Sequence, residues 1–209
     1  MVTTIYGFIY AFMQGNAYEL ESYMTLWGVW ACTLYFILIH SVSKGETHTF
    51  TWKLTYLLGE MGFCFEFLIV PFFWLVLYPF LYGKEDWNFF VFNVFCHFVT
   101  GMCIFVEFYH TPFQFPTSHR IILIIIGVVY TLNNFLWTEL NGHPVYPVIT
   151  WKSLWTVFYL ILSFVIALIG FEFGRWHYKK KKIAMKGTEP LRGDDEENQG
   201  TTKHPNDLD

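Results

Sequence analysis

The chain alternates long apolar stretches with short polar segments. Five of the stretches are long enough to cross a bilayer as helices, for which roughly 20 mostly apolar residues are required. A further stretch at residues 5–13 is short, and it must tilt, thin the bilayer or lie at the interface. This pattern predicts an all-α, polytopic membrane helix bundle with about six transmembrane helices, of which the first is short. The five longer stretches are residues 24–42, 54–82, 88–109, 121–140 and 151–176.

The stretch at residues 54–82 contains two prolines, Pro71 and Pro79. Proline lacks a backbone donor, but membrane helices tolerate it where neighbouring groups satisfy the freed carbonyl. We therefore interpret this stretch as one long, kinked span.

Composition supports the membrane assignment. Of the 209 residues, 54% are hydrophobic and only 14% are charged, whereas soluble domains carry roughly 25% charged residues. All four cysteines lie in apolar stretches, which argues against a secreted disulfide framework. Because no metal, nicotinamide or phosphate-binding motif occurs, we expect no metal, no cofactor and no nucleic-acid partner.

Charged residues between the apolar stretches predict the orientation of the bundle. Lysine and arginine are concentrated at alternate loops, and cytosolic loops of membrane proteins carry this excess. Both termini are therefore predicted to be cytosolic, with Lys152 as the exception. We divide the chain into a transmembrane bundle, residues 1–178, and a polybasic, then acidic, disordered cytosolic tail, residues 179–209. The basic side carries Lys44, Lys53, Arg120 and residues 175–182, and the other side carries Glu19, Glu21 and the mixed residues 84–86.

Ionisable residues inside the apolar stretches are candidates for function, because such groups are costly in hydrocarbon. Glu60, Glu107, Glu139 and Glu172 lie near the ends of their spans and can reach the headgroups, whereas Glu66 lies deeper and could pair with a lysine or accept hydrogen bonds.

His97 lies well inside its span. It shares one predicted helical face with four other residues, at the spacing i, i+3, i+4, i+7 and i+11. One interpretation is structural, with the imidazole hydrogen-bonded across helices. The other is catalytic, and it requires a partner. The other residues of the face are Thr100, Gly101, Ile104 and Phe108.

Thr25 is the candidate partner of His97. A threonine hydroxyl beside a neutral imidazole forms a nucleophile and base pair that can attack an acyl carbon. The structural alternative is a hydroxyl bonded to its own helix backbone. The span at residues 121–140 also carries polar residues at helical spacing, and either of its asparagines could donate to the oxyanion of the reaction. These residues are Tyr130, Asn133, Asn134 and Trp137.

Four motifs follow one another along the chain: "YMTLWG" with Thr25, "HFVTGMCIFVE" with His97, "FQFP" followed by Arg120, and "GHPVYP". Together they resemble the androgen-induced-gene family of membrane hydrolases. Phe113 stands where the family's H-Q-Y-P motif has histidine. The resemblance implies a threonine-dependent hydrolase that cleaves esters of hydroxylated fatty acids, with Thr25 as the catalytic nucleophile, His97 as the base and a lipid substrate taken from the bilayer.

Two alternatives remain open from the sequence. The "TLWG" and "VYP" segments are also similar to the Rolling-stone family, which implies a non-enzymatic adhesion, fusion or scaffold protein. A small transporter or proton relay could use His97 and Glu66. In every case, the predicted location is an endomembrane or the plasma membrane.

Overall fold

The computed structural model describes residues 22–43, 49–83, 87–111 and 113–187. Regular secondary structure within these ranges is helical, and they contain no β-strand. Two π-helical segments, Phe73–Leu77 and Phe95–Val99, interrupt the α-helices. The α-helices are α1 (Met24–Ser43), α2 (Thr49–Phe72), α3 (Tyr78–Leu81), α4 (Trp87–Val94), α5 (Thr100–His110), α6 (His119–Asn141) and α7 (Leu154–Gly187).

These helices form five continuous segments that are long and apolar enough to cross a membrane, which confirms the prediction of an all-α membrane helix bundle for the described residues. They are Met24–Val42, Thr49–Leu81, Trp87–His110, His119–Asn141 and Leu154–Ile183. The predicted short span at residues 5–13 lies outside the described residues, as do Glu19, Glu21, Lys44 and residues 84–86. The sixth span and the orientation of the termini therefore stay predictions.

The two prolines lie within one span, as predicted. Pro71 is near the end of α2, and the π-helical segment Phe73–Leu77 follows directly before α3 begins. The missing proline donor and the clash of its ring with the preceding turn disturb regular α-helical bonding. The helix thus continues through a local change of winding.

Small residues let the helices approach closely around α2, which packs against α1, α5 and α7. A Cβ atom placed on Gly28 of α1 would lie 2.8 Å from Ile69 Cδ1, and one on Gly62 would lie 2.9 Å from Cys32 Sγ. Close packing of small residues is a main source of helix association in membranes. These glycines therefore set the spacing of α1 and α2.

The segment between α5 and α6 folds back into the bundle. Phe113 and Phe115 are almost fully buried. Glu60 of α2 holds the segment, because it accepts a hydrogen bond from the Phe115 backbone N–H (3.0 Å) and lies 2.5 Å from His119 Nδ1. A Cβ atom on Gly174 of α7 would lie 2.5 Å from the Phe115 ring. This segment therefore joins α2 to α7 at one end of the bundle.

Other carboxylates near that end also have partners. Glu107 accepts hydrogen bonds from the hydroxyls of Tyr35 (2.8 Å) and Thr111. Glu172 pairs with Arg120. These contacts agree with the structural interpretation of the carboxylates that lie near span ends.

The last helix continues beyond its apolar stretch. α7 extends through residues 179–182 to Gly187, so the predicted boundary between residues 178 and 179 falls inside a helix and the polybasic segment is helical. The Lys180 ammonium lies 4.1 Å from the centre of the Trp176 ring, a favourable cation–π contact. Residues 188–209, which carry the acidic part of the predicted tail, lie outside the described residues.

Candidate functional site

A largely apolar cavity of about 90 Å³ lies between α2, α6 and α7 and is closed at one end by the start of α1 and by the segment that follows α6. Apolar side chains such as Phe72, Leu123 and Phe164 form most of its wall. The volume is sufficient for several water molecules. The polar residues that line it are Thr25, His97, Tyr130, Thr131, Tyr146 and Ser163.

The two π-helical segments meet at this cavity. Phe73, the first residue of one, stacks on the imidazole of His97 in the other, with 3.5 Å between ring centres and 4° between ring planes. Trp74 Nε1 also donates a weak hydrogen bond to the His97 carbonyl (3.4 Å). π-Helical turns within α-helices occur frequently at functional sites. Here they place a histidine and an aromatic ring face to face.

His97 is 6% exposed, and its Nδ1 atom has no hydrogen-bond partner among the described residues. Phe73 covers one face of the imidazole ring. Hydrogen bonds to the ring nitrogens form in the plane of the ring, so the stack does not block them. A neutral imidazole has one nitrogen that can accept a proton. The predicted buried face is confirmed, because Thr100, Gly101, Ile104 and Phe108 are buried with His97.

Thr25 lies in the first turn of α1 and is 8% exposed. It lines the same cavity as His97. The first backbone N–H groups of a helix have no partners within the helix. Here two phenols act as partners for the first of these groups, because the Met24 N–H donates to Tyr146 Oη (2.9 Å) and to Tyr130 Oη (3.1 Å).

Tyr146 contacts Thr25 directly. Thr25 presents its hydroxyl and its backbone N–H to the Tyr146 phenol oxygen. Burial raises the pKa of Tyr146 above its ordinary value, so its phenol keeps its proton at neutral pH. Tyr146 is the functional candidate that the sequence reasoning missed. Its only signal there was its place in the "VYP" turn.

The segment that carries Tyr146 is fixed to the end of α6. α6 ends at Asn141, and Gly142 caps it with a φ of 72°, a left-handed conformation that glycine adopts readily. Further along, Trp151 Nε1 donates to Asn134 Oδ1 (2.9 Å), and the Trp151 backbone N–H donates to Thr156 Oγ1 (3.0 Å). These bonds hold Tyr146 and Ile149 in the cavity wall.

Asn133 and Asn134 do not line the cavity, in contrast to the expectation that at least one of them would. Asn134 is buried behind the wall and donates to the cavity-lining Tyr130 hydroxyl (3.4 Å). Asn134 lies one turn after Tyr130 on α6, and of the two only Tyr130 lines the cavity. Neither asparagine is positioned as a direct donor to a ligand there.

Glu66 has an unusual environment on α2. It is fully buried, and neither carboxylate oxygen has a hydrogen-bond partner among the described residues. Cβ atoms on Gly28 and Gly101 would lie 3.0 Å from Oε1 and 3.4 Å from Oε2, respectively. The carboxyl group therefore occupies a slot between two glycines, without the lysine or the hydrogen bonds considered from the sequence.

The described residues contain no group of three or more histidine, cysteine or acidic side chains that could hold a metal ion. All four cysteines are free thiols. The fold and site together define a membrane helix bundle with an internal, mostly apolar cavity whose polar lining includes Thr25, His97 and Tyr146. No family model, curated protein or solved structure matches the chain.

Proposed function

We propose that the protein is a multi-pass membrane hydrolase that cleaves lipid esters, with Thr25 as the nucleophile and His97 as the general base. The observation that carries this proposal is that Thr25 and His97 line one apolar cavity although they belong to different spans. The motif resemblance in the sequence supports esters of hydroxylated fatty acids as the substrate class.

The proposed chemistry has two steps. Thr25 Oγ1 bonds to the carbonyl carbon of the ester while its proton passes to a His97 ring nitrogen. The bond between the acyl carbon and the alcohol oxygen then breaks, and the alcohol leaves with that proton. Water next attacks the acyl–Thr25 ester, with His97 taking a water proton and returning it to Thr25 Oγ1. The products are a carboxylic acid and an alcohol.

The walls of the cavity suit a lipid. Its volume of about 90 Å³ is smaller than the roughly 300–1,000 Å³ of a typical ligand pocket, so the ester group would lie inside and most of the acyl chain outside. Ile124 of α6 lines the cavity and is also 38% exposed on the outer surface. An acyl chain entering beside Ile124 would come directly from the bilayer.

Labelling of the full chain with a fluorophosphonate probe tests the proposal. We expect the wild type to form an adduct and to hydrolyse a lipid ester, and Thr25→Ala and His97→Ala each to lower turnover at least about 100-fold. Because the two residues act as a unit, the double variant should be hardly worse than either single one. Thr131→Ala is the matched control, since Thr131 lines the same cavity but donates to the Gly127 carbonyl of its own helix (2.8 Å).

Two results would contradict the proposal. A folded Thr25→Ala protein that is still labelled and still hydrolyses the ester has its nucleophile elsewhere. A wild-type protein that is neither labelled nor active on any lipid ester favours the adhesion or scaffold interpretation, in which His97 has a packing role.

A further inference from the structure

The Tyr146 hydroxyl lies where several groups of the site converge. Tyr146 lines the cavity, accepts a hydrogen bond from the Met24 backbone N–H (2.9 Å) and interacts with both the backbone N–H and the hydroxyl of Thr25. Its ring packs edge-to-face on Tyr23, with 5.7 Å between the ring centres. The phenol oxygen is therefore fixed beside the proposed nucleophile.

Counting donors and acceptors shows where the Tyr146 hydrogen can go. A phenol oxygen has one hydrogen to donate and accepts through its lone pairs. The backbone N–H of Met24 donates to it (2.9 Å), and Thr25 presents its backbone N–H and its hydroxyl to it. Tyr130 Oη lies 3.4 Å from it and can direct its hydrogen to it or to the Ser22 carbonyl (3.0 Å). Among the described residues, the groups around the phenol oxygen therefore act as donors, and the Tyr146 hydrogen is left for a group that enters the cavity.

We propose that Tyr146 is a further catalytic residue, whose hydroxyl donates a hydrogen bond to the carbonyl oxygen of the lipid ester as that oxygen becomes negative. This role rests on the proposed function. When Thr25 Oγ1 bonds to the carbonyl carbon, the carbonyl oxygen is two bonds from Oγ1, so it comes close to the Tyr146 hydroxyl in the orientation in which it points toward Tyr146.

The surroundings of Tyr146 favour such a donor. The Met24 backbone N–H, which donates to the phenol oxygen (2.9 Å), holds that oxygen in place at the start of α1. The bonds of Trp151 to Asn134 and Thr156 fix the segment before any ester binds. Donors held in place in an apolar cavity stabilise an oxyanion without reorganisation.

Kinetics of Tyr146→Phe test the role, because this change removes only the hydroxyl. We expect kcat to fall about 100- to 1,000-fold, the loss typical of removing one oxyanion donor, and KM to change less than about threefold. The affinity for a trifluoromethyl ketone analogue of the substrate, which forms a tetrahedral adduct, should fall by a similar factor to kcat. Tyr35→Phe is the matched control, since it removes a hydroxyl that is bonded to Glu107 near the other end of the bundle, and it should leave kcat unchanged.

The outcomes separate the two proposals. If wild type is active and Tyr146→Phe keeps its kcat, the role of Tyr146 is wrong while the Thr25–His97 mechanism stands. If kcat and thermal stability fall together and the ketone still binds with wild-type affinity, Tyr146 is structural and the inference is overturned. A wild type that is neither labelled nor active overturns both proposals.

Discussion

At the scale of single residues, His97 and Glu66 are ionisable groups that are buried inside the bundle in different surroundings. The face of His97 is buried as helical spacing predicted. Its stacking on Phe73 could not be predicted, because it depends on two π-helical segments in different spans. Tyr146 was missed because its contact with Thr25 joins positions more than 100 residues apart. Spacing along one helix carries no information about such contacts.

Glu66 gives a stability prediction at this scale. Among the described residues, neither of its oxygens has a hydrogen-bond partner, and its carboxyl group lies in a slot formed by Gly28 and Gly101. The slot therefore accommodates the side chain but does not stabilise a charge on it. We expect Glu66→Gln to change the free energy of unfolding by less than about 1 kcal/mol, and Glu66→Lys to prevent folding because it places a longer, charged side chain there. Thermal melting in detergent measures both variants.

Glu139→Gln provides the control for Glu66→Gln, because the Glu139 side chain is exposed near the C-terminal end of α6. If Glu66→Gln melts far below both this control and the wild type, the charged carboxylate itself stabilises the fold, and our interpretation of the slot is wrong.

At the scale of helices, hydropathy predicted the positions of five spans but not all of their ends. α1 begins at Met24 as predicted, whereas α2 begins at Thr49 instead of residue 54, and α7 extends well beyond Trp176. Apolarity marks the part of a helix that lies in hydrocarbon, whereas backbone hydrogen bonding continues into the interface. Lysine side chains there keep their ammonium groups in water while the helix goes on.

Gly101 provides a prediction about the packing of α5 on α2. A Cβ atom at this position would lie 2.6 Å from Val70 Cγ2, and a β-branched side chain has little freedom to move aside. We expect Gly101→Ala to destabilise the protein by about 1–3 kcal/mol, as overpacking typically does. The melting temperature and the yield of monodisperse protein report the effect.

Removing the Val70 methyl groups should relieve that clash. The double variant Gly101→Ala with Val70→Ala should therefore be more stable than the sum of the two single effects indicates. Strict additivity would mean that the methyl group added by Gly101→Ala is accommodated elsewhere and that Gly101 does not set the distance between α5 and α2.

At the scale of the whole molecule, contacts assign the helix ends to two opposite sides. The start of α1 meets the segment after α6 through Met24 and Tyr146. On the other side, Glu60 meets His119, and Arg120 meets Glu172. The proposed catalytic residue Thr25 belongs to the first side. The basic residues Lys53, Arg120, Arg175 and 179–182 belong to the second.

This separation predicts that the second side is cytosolic, because lysine and arginine are retained there. Cysteines introduced at two exposed positions test it, one at Thr117 between α5 and α6 and the other at Pro144 after α6. In sealed vesicles with the cytosolic face outward, a membrane-impermeant maleimide should label Thr117→Cys at once and Pro144→Cys only after permeabilisation. A Cys103→Ser background removes the one exposed native thiol. Immediate labelling of Pro144→Cys alone would invert the orientation and place the Thr25 and Tyr146 end of the cavity at the cytosolic face, so that the carboxylic acid produced by the proposed reaction would be formed near the cytosol.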